Sequence, residues 1–113
     1  MTALARFTVS AIFALAAATV TAHPNHGGPP IKGEDVPVLG ERVMKLLVQD
    51  KKLAASWQGR TAKAVSSQNT PDGPVWIVSY ENPDEADNAK RVVYMFFDEF
   101  GNFIGGNHSG KLQ

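Results

Sequence analysis

Two short segments constrain this chain more than any others. Residues 75–80 read VWIVSY and residues 91–97 read RVVYMFF, both rich in β-branched and aromatic side chains and bounded by turn formers. Alternation places Val75, Ile77 and Ser79 on one side of the first and Trp76, Val78 and Tyr80 on the other. The second splits into Val92, Tyr94 and Phe96 against Val93, Met95 and Phe97. Both faces of a sheet built on these strands are therefore apolar, and a single helix covers only one.

The flanking sequence supplies the rest of such a sheet. The run NTPDGP at residues 69–74 is dense turn chemistry, which predicts an antiparallel strand before it over residues 60–68. A polar loop at residues 82–88 separates the two strong strands. The turn DEFGN at residues 98–102 leads into a short last strand over residues 103–108. Upstream, Leu39, Val43, Leu46, Leu47 and Leu53 recur at mostly helical spacing with Glu41, Arg42, Lys45 and Gln49 between them. Asp35 is placed to cap this helix and Pro37 suits its first turn. The helix is expected to reach about Lys52, with Gly40 moving its start toward Glu41. The expected fold is α+β: one helix packed on a four-stranded antiparallel meander, spanning residues 36–113.

The segment before the helix differs in kind. After Arg6, residues 7–20 carry no charge, and Val20-Thr21-Ala22 offers the small side chains that signal peptidase accepts. A signal peptide over residues 1–22 is expected, cleaved after Ala22, with a cut after Ala18 as the alternative. Residues 23–35 are mostly His, Pro, Gly and Asn with Ile31 as the one aliphatic, a composition expected to form a flexible arm. Export to a periplasm or beyond follows, with no membrane anchor in the mature form. The chain has no cysteine, so it lacks both a disulfide framework and a lipid attachment site of that kind. Removing residues 1–22 takes Arg6 from the eleven cations and leaves ten against eleven carboxylates, a balance that argues against nucleic acid as a partner.

The leader followed by AHPNHGGPP, together with LAASWQG, VWIVSYENP and YMFFDEFGNFIGGNHSGK, resembles an uncharacterised family, a domain of unknown function, of small exported bacterial proteins. The outline of helix and meander is similar to PepSY-like periplasmic modules. The first resemblance implies no activity, and the second concerns fold alone.

Two surfaces suggest function. Cleavage after Ala22 would make His23 the N-terminal residue, whose amine and Nδ1 form a chelating pair suited to Cu(II), with His26 or His108 as a further ligand. Pro24 excludes the amino-terminal copper geometry that needs a deprotonated amide at the second position. Histidines that merely decorate a soluble arm explain the same residues. The other surface is the second sheet face, for which Trp76, Tyr80, Tyr94 and Phe96 are the candidate contacts. Its cover is either the arm and the Trp57 region, a second copy of the chain, or an unidentified protein or peptide. The pairs Asp84-Glu85 and Asp98-Glu99 read as solvated loop charge, and Gly105-Gly106 as a bulge in the last strand. No nucleophile motif is present, so a non-enzymatic binding or interaction module is expected, a copper-binding protein being the alternative.

Overall fold

The computed structural model describes residues 29–112, so the expected signal peptide, His23 and His26 lie outside the described residues. The fold is α+β. Helix α1 spans Val36–Gln49, and strands β1 (Ala64–Thr70), β2 (Gly73–Glu81), β3 (Val92–Asp98) and β4 (Phe103–Asn107) form one antiparallel sheet in the order β1-β2-β3-β4.

α1 starts at Val36, not near Glu41, and Pro37 sits in its first turn as expected. Gly40 is buried at the sheet contact, where a Cβ would collide with the Tyr80 hydroxyl, so close approach outweighs its low helix propensity. Asp35 does not cap α1 with its side chain. Its carboxylate instead accepts from the Lys32 amide at 2.9 Å, closing the short 3-10 helix Gly33–Asp35. The helix ends at Gln49, short of Lys52, because Lys51 adopts a left-handed φ of 61° and the amides of Lys52 and Leu53 return to the Leu47 carbonyl.

Val36, Val43, Met44 and Leu47 of α1 pack on Val78, Tyr80, Val93, Met95, Phe97 and Phe103 of the sheet. Trp57 joins this same cluster, so the Trp57 region closes the helix side and does not reach the second face. The end of the expected arm is also docked there. The Ile31 amide donates to the Glu99 carbonyl at 2.9 Å, and Gly33 lies so close to the Trp76 ring that a Cβ would sit 3.3 Å from it. Residues 31–35 are thus part of the folded unit, since Ile31 and Trp76 give the segment apolar surface to bury.

The second face is covered from the other end of the chain. Asn107 organises a return: its Oδ1 accepts from the amides of Ser109 and Gly110, and its Nδ2 donates to the Lys111 carbonyl at 2.9 Å. Gly110 then packs against the Tyr94 ring, with a Cβ position only 3.0 Å away, and Leu112 lines an open cavity together with Val75 and Ile104. Phe96, on this face opposite Ile77 and Gly105, is left 4% exposed. The last strand does contain a bulge, but it falls before Gly105-Gly106, which pair regularly with Phe96 and Met95: Phe97 faces Phe103, leaving Ile104 as the extra residue.

Candidate functional site

β1 stands apart from the rest of the sheet. None of its residues belongs to the core cluster, and six of its seven are exposed along both faces. Its sequence, AVSSQNT, explains this: small and polar side chains extend readily but offer only Val65 as an aliphatic to bury, and Val65 is 37% exposed.

The hairpin to β2 fixes how β1 presents its backbone. Pro71 and Asp72 form a two-residue loop between Thr70 and Gly73, with Gly73 at a φ of 116°. The Thr70 hydroxyl donates to the Gly73 carbonyl at 2.7 Å and accepts from the Asp72 amide at 3.1 Å. In a loop of this length the flanking residues form a hydrogen-bonded pair, so alternate residues Gln68, Ser66 and Ala64 also point their main-chain groups toward β2. The amides and carbonyls of Val65, Ser67 and Asn69 then point outward. Among the described residues, no strand pairs with that edge.

Exposed edges are normally blunted by charge, proline, brevity or a bulge. β4, at the opposite edge, has five residues, two glycines and the bulge at Ile104. β1 has seven residues and contains no charge, no proline and no glycine. The start of β1 is held firmly. Arg60 donates to the Ser56 carbonyl, to Asn82 Oδ1 at 2.7 Å and to Asp84 Oδ2 at 2.9 Å, while the fully buried Asn82 donates to the Ser56 hydroxyl. Lys63 pairs with Glu81 across the hairpin at 3.0 Å, an exposed contact. These contacts fasten the segment that leads into β1 to the loop after β2.

The four aromatic residues expected to form one surface are divided by the sheet. Trp76 and Tyr80 lie on the helix side, Tyr80 being 1% exposed, and Tyr94 and Phe96 lie on the side closed by the tail. Trp76 and Tyr94 are half-buried under Gly33 and Gly110. His108 is half-buried, with Nδ1 at 2.9 Å from the Val92 carbonyl. Among the described residues, no three His, Asp or Glu side chains gather where they could hold a metal ion. Asp84 and Asp98 have local partners: Asp84 binds Arg60, and Asp98 Oδ1 accepts from the amides of Phe100 and Asn102. A cleft of about 550 Å³ lies between α1 and residues 58–60, with Leu46 and Lys45 at its wall, but its Arg60 is already engaged by Asn82 and Asp84.

The β1 edge has no aromatic residue to mark it in the sequence. The signal was present in the uncharged, proline-free run at residues 64–70. No helix among the described residues is long and apolar enough to cross a membrane. No curated protein and no solved structure matches the chain. The model of DUF6488, a family of unknown function, matches residues 1–111, and the chain belongs to that family.

Proposed function

We propose that this protein is an exported, non-enzymatic binding module that takes an extended strand from its partner along the outer edge of β1. One observation carries this reading: a seven-residue edge strand, exposed on both faces, has none of the devices that prevent strand addition. Main-chain hydrogen bonds from Val65, Ser67 and Asn69 would supply most of the contact. Export is supported by the uncharged residues 7–20 after Arg6 and by the small residues before His23. The outline of helix and meander is similar to PepSY-like modules, which bears on fold and not on activity.

Panning a phage-displayed random peptide library on the mature protein tests the reading. Selected peptides should shift the amide resonances of Val65, Ser67 and Asn69, and binding should be lost in Ser67→Pro. That variant removes an outward amide and leaves the hydrogen bonds to β2 in place. Peptides that bind Ser67→Pro as well as the native protein would overturn it.

A further inference from the structure

Resting on that reading of β1, we infer that the strand received at this edge is β1 of a second copy, giving a two-fold dimer with one continuous eight-stranded sheet. The alternative occupant within the chain is poorly suited: residues 23–28 read HPNHGG, with a proline and two glycines that make a weak strand. A foreign peptide selected by its side chains would need pockets along β1, and the strand offers Ser66, Ser67, Gln68 and Asn69.

β1 suits itself. A two-fold axis through Ser67, the middle residue of Ala64–Thr70, sets Ser67 opposite Ser67, Ser66 opposite Gln68 and Val65 opposite Asn69. Ser67 is one of the outward-directed residues, so the central pair exchanges both main-chain hydrogen bonds. No like charges oppose each other, because β1 has none. At each end the antiparallel arrangement brings Lys63 of one copy beside the Pro71-Asp72 turn of the other, whereas a parallel arrangement would set Lys63 against Lys63. The axis runs perpendicular to the sheet, so both α1 helices lie on the same side of the joined sheet and do not obstruct the seam.

The absence of cysteine makes the test clean. Opposed Cα atoms in a hydrogen-bonded antiparallel pair lie about 5.5 Å apart, within the range a disulfide spans. Ser67→Cys should therefore give a covalent dimer under mild oxidation at least tenfold faster than Ile104→Cys, placed on the opposite edge. Native protein should sediment as a dimer with rising concentration between about 1 μM and about 1 mM, and Ser67→Pro should remain monomeric with an unchanged circular dichroism spectrum. Equal crosslinking rates for the two cysteine variants, or native protein that stays monomeric throughout, would overturn the dimer. If library peptides still shift Val65, Ser67 and Asn69 in that case, strand addition stands and the second copy is not its partner. If they do not, both readings fall.

Discussion

The Tyr80 hydroxyl occupies the space that a side chain at Gly40 would need, so helix and sheet meet at a point where one residue must have no Cβ. The phenol lies 3.5 Å from the Pro37 carbonyl, a long contact that leaves packing as its main role. Gly40→Ala should destabilise the protein by about 1 to 2 kcal/mol, the clash exceeding the helix-propensity gain of about 1 kcal/mol. Tyr80→Phe removes the colliding atom. The double variant should recover most of the loss, and chemical denaturation of all four proteins measures that coupling. Additive effects would show that the two positions do not share the contact.

Tyr80 also gives the fold an alkaline limit. Burial, with a smaller contribution from the nearby Glu41 charge, raises its pKa from 10.0 to about 12. Below pH 10 both folded and unfolded chains keep the phenolic proton, and this contribution is fully present. Between those two values the unfolded chain releases the proton first, so stability falls as pH rises, by about 2 to 3 kcal/mol over the interval. Comparing denaturation midpoints of native protein and Tyr80→Phe from pH 9 to 12 isolates this residue from the lysines and Tyr94. Parallel pH profiles would contradict it.

The tail that closes the second face should be needed for stability. Phe96→Ala should cost about 3 kcal/mol or more, since a buried aromatic leaves a large cavity. Deleting residues 109–113 should cost about 1 to 3 kcal/mol by uncovering Tyr94. Thermal denaturation of both variants checks the expectation, and a deletion as stable as the full chain would show that the tail contributes no cover.

The copper alternative is decided at the N-terminus. A Cu(II) site made by the amine and Nδ1 of a mature His23 should lose at least tenfold in affinity when one alanine is added before it, because the chelate is broken while every side chain remains. His108→Ala should lower that affinity further only if the arm reaches the end of the sheet, since an Nδ1 bonded to the Val92 carbonyl leaves Nε2 as the ring's ligand atom. Titration with glycine as competing chelator reads both effects. Equal binding with and without the added residue would exclude a chelate at the terminus.

Much of the fold was legible because its strongest signals agree with one another. The alternation at residues 75–80 and 91–97 and the turns between them correspond to β2, β3 and the meander order. Local propensity misled where packing decided the outcome. Gly40 reads as a helix breaker until Tyr80 is placed beside it, and Asp35 reads as a helix cap until Lys32 offers a nearer amide. The cover of the second face was illegible for a related reason. Residues 108–112 carry little apolar signal, and what folds them back is the Asn107 side chain bonding to three main-chain groups. The candidate site was hidden by its blandness, since β1 differs from an ordinary hairpin strand in the features it lacks.

The Asn107 return couples the cover of the sheet's second side to its last strand. Gly110 packs against the Tyr94 ring and is held there by the Asn107 side chain at the end of β4, so this cover forms only once β4 has paired with β3. Opening of β4 would therefore release the Asn107 bonds and uncover Tyr94 in the same event.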